Sequence, residues 1–279
     1  MSTSKLFFIT GVSSGFGRAI SEAALAAGHS VAGTLRKPEE CAEFEALAPG
    51  RAHGVLLDVT DAEAVSATIH RIEREIGAID VAINNAGYGH EGLVEESTLD
   101  DIKRQFDVNV FGAFSVLKAV LPHMRARRAG RIVIITSMGG IVTMPGLGLY
   151  HASKFALEGL SESLAKEVKD LGIHVTAVEP GSFRTDWAGR SMVRAPRSIA
   201  DYDALMNPLR ETRQGYSGKQ KGDPALAGAA ILKLVEAENP PMHLLLGSDA
   251  AHLVAEKLAT LQGEFDAWKD VTLSTDFPD

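Results

Sequence analysis

The chain carries a single cysteine, Cys41, so no disulfide can form within it. That cysteine sits in PEECAEFEAL, a stretch of helical character away from any chemical motif. The nine histidines show no His-Glu-x-x-His or comparable ligand spacing, and no metal site is expected. Positive charge is also short. A formal net charge of −8 over 279 residues excludes a general nucleic-acid or membrane-surface binder. The one basic cluster, in HMRARRAGR, reads as a helix C-terminus in preference to a phosphate patch, with cations in the last turn and Gly130 as the stop. No apolar run approaches transmembrane length, and the apolar part of MSTSKLFFITG is too short for a signal peptide. A soluble, reducing, cytoplasmic setting is the expectation. With 45% hydrophobic residues the chain can fill a core, so disorder is excluded.

What is present is an alternation of apolar runs and amphipathic stretches. KLFFIT, SVAGTL, AHGVLL, DVAIN, RIVIITS and HVTAVEP read as buried strands, and MHLLLG as a seventh. Helices are expected between them: GRAISEAALAAG closed by Gly28, one through PEECAEFEALA, and one opened by Thr60 and Glu63 at capping-box spacing and running to Gly77. A long helical region spans about Leu99 to Ala126, another begins at LYHASKFALEGL, and Asp223-Pro224 caps a further one. A last helix covers AAHLVAEKLATLQGEFDAWK. Continuous apolar strands alternating with helices predict an α/β fold: one doubly wound Rossmann-type domain over 1–279, with a seven-stranded, mostly parallel sheet flanked by helices. Residues 182–222, rich in Gly, Pro, Arg and Ser, break the rhythm and read as an irregular insertion over the active site, without a clear strand.

The first strand turns into TGVSSGFGRAI. Gly11, Gly15 and Gly17, with Ser13, Ser14 and Phe16 between them, form a turn in which backbone can approach a pyrophosphate and aim free N–H groups at it. The spacing is Gly-x-x-x-Gly-x-Gly, and its position after the first strand of an α/β chain strengthens the reading. The second strand ends in GTLRKPEE, with no acidic residue at the strand end to bond the adenosine ribose of NAD(H). Arg36 can instead grip a 2′-phosphate, so NADP(H) is favoured over NAD(H), against the plain alternative of a solvated basic loop.

Joined to Asn84-Asn85-Ala86-Gly87 after the fourth strand and to Tyr150-x-x-x-Lys154, these features resemble the short-chain dehydrogenase/reductase family. The resemblance runs from Lys5 to about Thr185, and the glycine spacing is similar to that of the compact members. It implies that Asp58 bonds the adenine amino group with the backbone of Val59 beside it. It places Asn85, Ala86 and Gly87 along the adenosine ribose. Pro180, Gly181 and Phe183 lie where the chain passes the nicotinamide, and Thr185 would hold the carboxamide or a phosphate. It also implies a catalytic tetrad: Tyr150 as general acid/base, Lys154 lowering the phenol's pKa and bonding the nicotinamide ribose, Ser137 bonding the substrate oxygen, and Asn109 holding a water that links Lys154 to solvent. The chemistry has a physical basis, because a phenol with a pKa of about 10 needs a nearby cation to act near neutrality. Four residues along a helix place Lys154 one turn from Tyr150 on the same side.

The activity implied is NADP(H)-dependent interconversion of a ketone or aldehyde and an alcohol by hydride transfer. The alternatives are a nonenzymatic NADP(H)-binding redox sensor, or a family enzyme carrying out dehydration or epimerisation. Sensors would be expected to lose the tyrosine or the lysine, and this chain keeps both. Met138, Met144, Leu147 and Trp187, with Tyr88 at the rim, suggest a small-molecule substrate with a partly apolar body. On the helix of Tyr150, Leu157, Leu160, Leu164, Val168 and Leu171 form a core stripe. Ala152, Ala156, Gly159 and Ser163 form a small-residue stripe that, by resemblance, joins a homodimer or homotetramer.

Overall fold

A computed structural model describes residues 4–277, so the outermost residues of the expected 1–279 domain lie outside the described part. The first strand, β1 (Leu6–Ile9), shows why the chain builds a covered sheet. Its four residues are all buried, and they alternate between two cores. Leu6 and Phe8 face one cluster, and Phe7 and Ile9 the other. The remaining strands of the sheet are β2 (Ser30–Leu35), β3 (Ala52–Leu56), β4 (Ile79–Asn84), β6 (Gly130–Ile135), β7 (Ile173–Pro180) and β9 (His243–Leu246). They are parallel throughout, in the order β3-β2-β1-β4-β6-β7-β9.

Helices α1 (Gly15–Ala26), α2 (Pro38–Glu45) and α8 (Pro224–Glu236) cover one face, and α3 (Ala62–Glu75), α5 (Gly112–Arg127) and α6 (Gly148–Val168) the other. A Cβ on Gly228 would lie 2.7 Å from the Ala19 carbonyl oxygen, so its absence lets α8 and α1 approach closely. The strand order reverses between β1 and β4. That leaves a crevice at the C-terminal strand ends, where Thr10–Gly17, Asn85–Gly87, Ser137 and Gly181 all lie.

Three local expectations are corrected, and one is refined. The N-cap of α3 is Asp61, whose Oδ1 accepts from the Ala64 N–H at 2.9 Å, while the Thr60 hydroxyl donates to Asp58 at 2.8 Å. The helix that ends in the basic cluster is stopped by Arg128 in the left-handed region, at φ 53°, while Gly130 already begins β6. The long helical region runs unbroken, and within it α4 (Leu99–Phe106) passes through a π-helical turn, Asp107–Phe111, before α5. Finally, residues 182–222 are not irregular throughout. They contain β8 (Met192–Arg194), which pairs in parallel with β5 (Gly89–Glu91), and a helix, α7 (Asp203–Tyr216).

The insertion is fastened through one carboxylate. Glu91 is wholly buried, with Arg194 Nε at 2.8 Å, Arg213 Nη1 at 3.1 Å and Arg210 Nε at 3.9 Å. Pairing a buried charge this fully offsets its desolvation, and it ties β5 to both β8 and α7. The chain ends in α9 (Ser248–Ala267) and α10 (Lys269–Leu273). Among the described residues no helix is long and apolar enough to cross a membrane.

Candidate active site

The glycine turn is built by close approach. A Cβ on Gly17 would overlap the Gly11 carbonyl oxygen and lie 2.6 Å from Asn85 Nδ2. Gly11 and Gly15 hold φ of +73° and +59°, which side chains disfavour. Asn85 clamps the turn by donating to the carbonyls of Thr10 and Gly11 at 2.8 and 2.9 Å. Thr10 Oγ1 accepts in return from the backbone of Asn85 and Ala86, and Thr34 Oγ1 accepts from the Gly11 N–H. The N-cap of α1, Ser14, makes no side-chain cap bond, which leaves the first-turn N–H groups of Gly15, Phe16 and Gly17 for an incoming acceptor. Ser13 lies exposed on the same turn.

At the end of β2, Arg36 is exposed. Its charge reaches Asp58, whose carboxyl is held below its ordinary value chiefly by the Thr60 N–H, with the Thr60 hydroxyl and Arg36 adding to that against the effect of burial. Val59 is buried below Asp58, under Gly112.

Tyr150 and Lys154 sit on α6, both buried, with Lys154 Nζ 5.8 Å from the centre of the Tyr150 ring. The ammonium donates to the Ile135 carbonyl at the end of β6, at 2.8 Å. Burial alone would favour the neutral forms of both groups. It pushes the Tyr150 phenol up to about 12, and a hydrogen bond from Ser137 pulls the other way. Burial lowers Lys154 to about 8, opposed by the charge of Glu158. The lowered phenol pKa expected from the sequence is therefore not what this state of the site shows. Desolvation of the ring outweighs the hydrogen bond.

Ser137 is also an acceptor, taking the Gly139 N–H at 2.9 Å. The loop that carries it is locked by His151, whose Nδ1 donates to the Gly139 carbonyl at 2.8 Å while Nε2 accepts from the Met144 N–H at 2.9 Å. Burial lowers the His151 pKa, consistent with this neutral tautomer.

Asn109 stands on the π-helical turn. Its Oδ1 accepts from the Tyr88 N–H, and its Nδ2 donates to the Tyr88 carbonyl and to Ser153 Oγ, each at 3.1 Å. Ser153 Oγ in turn donates to the Tyr150 carbonyl, at 2.7 Å. Asn109 thus ties the strand following Gly87 to the helix of Tyr150, and a Cβ on Gly87 would stand 3.1 Å from its Oδ1. A small cavity beside it is lined by Thr10, Asn84, Ala86, Asn109 and Ile135, among others.

The insertion closes over this floor. Trp187 lies with its ring centre 5.0 Å from that of Tyr150, tilted by 56°. Phe183 packs edge-on against Phe16, at 5.0 Å, and the Thr185 side chain would be 3.5 Å from a Cβ on Gly15. Behind it, Pro180 ends β7 and Gly181 is pressed against Asp249, whose carboxylate accepts from the Ser182 N–H at 2.7 Å. The glycine turn with Asn85, Phe183 and Thr185, and Tyr150 with Lys154 and Trp187, therefore stand at the C-terminal strand ends. Sequence reasoning missed the supports: Thr10, Thr34, Glu91, His151, Ser153 and Asp249. Each acts through hydrogen bonds or ion pairs to other segments of the chain, and no motif marks it.

Residues 5–193 match the family described as short chain dehydrogenase. The chain is 39% identical over 249 residues to a 3-ketodihydrosphingosine reductase of Bacteroides thetaiotaomicron, covering 87% of this chain and 88% of that one. Among solved structures it resembles a short-chain dehydrogenase from Streptomyces avermitilis, with a TM-score of 0.91 and 39% identity over 99% and 100% of the two chains. It also resembles ElxO with NADP bound, with a TM-score of 0.72 and 27% identity over 87% and 96%.

Proposed function

The chain belongs to the short-chain dehydrogenase family and is an oxidoreductase of it; from that premise we propose that it reduces a ketone of partly apolar body to an alcohol, using NADPH, with Tyr150 delivering the proton. The observation that carries the reading is the convergence of Ser137, Tyr150 and Lys154 at the strand ends, under Trp187 and within reach of the glycine turn. The cofactor fits that turn: the positions where a Cβ would clash or be strained are the ones a pyrophosphate needs open, and the first-turn N–H groups are free of a side-chain cap. Bound there, it supplies the hydride.

The chain's own residues do the rest. Gly11, Ser13, Ser14, Gly15, Phe16 and Gly17 cradle the phosphates. Asp58 and Val59 flank the adenine, and Asn85 to Gly87 the ribose. Pro180, Gly181, Phe183 and Thr185 hold the nicotinamide side. Ser137 bonds the substrate oxygen, Tyr150 gives it a proton, and Lys154 bonds the ribose and restores the proton. The cavity lined by Asn84, Asn109 and Ile135, against the carbonyl that Lys154 holds, supports a proton-carrying water beside Asn109. Following NADPH consumption over a panel of ketones and aldehydes tests the reading. A full panel without turnover would favour the redox-sensor alternative.

The preference for NADP(H) rests on Arg36 and on the absence of an acid at the end of β2. Wild type is expected to favour NADPH over NADH in kcat/KM. Arg36→Ala should reduce that preference by about tenfold or more, the loss of a charge-assisted pair of hydrogen bonds. Equal use of both cofactors by wild type, or an unchanged preference in the variant, would remove the assignment.

The small-residue stripe of α6 supports pairing with a second copy. Ala152, Gly159 and Ser163 are exposed, and a Cβ on Gly159 would meet nothing. Light scattering at micromolar concentration should return the mass of a dimer or tetramer, and a monomer mass would count against the pairing.

A further inference from the structure

Glu158 follows Lys154 by one turn on the same side of α6 and is buried. Its Cγ and Oε1 would each stand 2.9 Å from a Cβ on Gly140, so the short turn after Ser137 rests directly on it. The neighbouring Thr136 has given its hydroxyl proton to the Val178 carbonyl, at 2.9 Å. Among the described residues, neither Glu158 oxygen receives a hydrogen bond from the protein.

On β7, the wholly buried Glu179 reaches the same spot: an oxygen of each carboxyl and a nitrogen of His243 lie within 4.8 Å of one another. His243, at the start of the edge strand β9, closes the group. Its Nδ1 is 2.7 Å from Glu179 Oε1 and 3.7 Å from Glu158 Oε2. Its Nε2 looks outward, 3.8 Å from Glu162 Oε1, and the side chain is 44% exposed. The titratable groups facing Glu158 are therefore Lys154 from its own helix, Glu179 from β7 and His243 from β9, with Glu162 on the far side of the imidazole.

Two adjacent buried carboxyls need a cation or a shared proton. Burial raises both, Glu158 to about 7. Lys154 stands on the catalytic side, and the His243 imidazole stands half in solvent. We propose that Glu158 is a positioning residue for the reaction: its carboxylate holds the Lys154 ammonium charged in its buried seat, and Glu179 with His243 sets the charge of Glu158 from the solvent edge of the sheet. The bearing on catalysis rests on the reading of Lys154 given under the proposed function. The test does not.

In the full chain labelled with lysine carrying 13C at Cε, the Lys154 signal, assigned by its loss in Lys154→Arg, can be titrated by NMR without substrate or cofactor. In Glu158→Gln its midpoint should fall by about one pH unit, a tenfold rise in the acid dissociation constant. Glu158→Asp should bring it back toward wild type. A Glu158 that serves only as packing would lower the melting temperature and leave the midpoint in place, which would overturn the proposal.

His243→Arg tests the outer half without disturbing the interior. A carboxyl whose folded pKa is raised, from 4.5 to about 7 here, stabilises the fold fully below its unfolded value, and that contribution is lost as pH climbs through the folded one. The wild-type melting temperature should therefore carry a decline between pH 5 and 8. A permanent cation at 243 pulls the folded value down and should flatten that decline. Equal slopes in wild type and variant, or a midpoint or slope that responds to EDTA, would overturn it, the last by making the cluster a cation site. Because neither measurement uses turnover, failure here and failure of the reductase reading remain distinguishable.

Discussion

Tyr150→Phe is expected to lose nearly all carbonyl reduction, on the order of 10²- to 10⁴-fold, the range that a positioned acid contributes. The substitution removes one oxygen and little else. The ring keeps its place against Trp187, and Ser137 keeps the Gly139 N–H. Stability should change by only about 1 kcal/mol, the net worth of one hydrogen bond. NADPH should still bind within a few-fold of wild type, because the phosphate cradle and Lys154 are untouched. Stopped-flow reduction of any ketone found in the panel, set beside NADPH fluorescence titration, separates the two quantities. A variant that turns over at near wild-type rate would remove the phenol from the mechanism. One that loses cofactor binding in parallel would make Tyr150 a binding residue.

The second large effect is expected at Gly17. Here a single methyl group has nowhere to go: it would overlap the Gly11 carbonyl oxygen and crowd Asn85 Nδ2. Neither can yield cheaply, since one is backbone and the other is the clamp on that backbone. Overpacking of this kind costs about 1–3 kcal/mol, and for a chain of this size roughly 2–4 °C of Tm per kcal/mol. Gly17→Ala should therefore lower Tm by several degrees and weaken NADPH by about tenfold or more, since the displaced carbonyl shifts the N–H groups of the turn. Gly263→Ala on the exposed α9, where a Cβ meets nothing, is the control. It should raise stability by about 0.5–1 kcal/mol through helix propensity alone. A Gly17→Ala protein that binds NADPH like wild type would show that the turn does not form the cradle.

These two sites were legible in the sequence, and the contrast with what was not is instructive. Buried parallel strands are continuous apolar runs, so each stretch from KLFFIT to MHLLLG announces its strand without reference to the rest. Glycine and a Tyr–Lys pair one turn apart are likewise local signals. The structure of residues 182–222 is not. The strand β8 has three residues and exists because β5, about a hundred residues earlier, offers it an edge. The helix α7 contains Pro208 and wholly buries only Met206, so no apolar stripe betrays it. The capping of α3 lay between neighbours: Thr60 and Asp61 both suit an N-cap, and it is the Asp61 carboxylate that takes the Ala64 N–H. His243 looks like any strand-end histidine until β7 and α6 bring two carboxyls to it.

The short run 183–187 touches both halves of the crevice. Phe183 and Thr185 lie on the turn that opens α1, and Trp187 lies on Tyr150. Two binding events that bear on one shared surface are thermodynamically linked, and linkage is reciprocal. A dinucleotide that tightens the grip of this run on the turn must raise the affinity of whatever sits beneath Trp187 by a given factor. The occupant must then raise dinucleotide affinity by that same factor. That coupling would be carried by five consecutive residues.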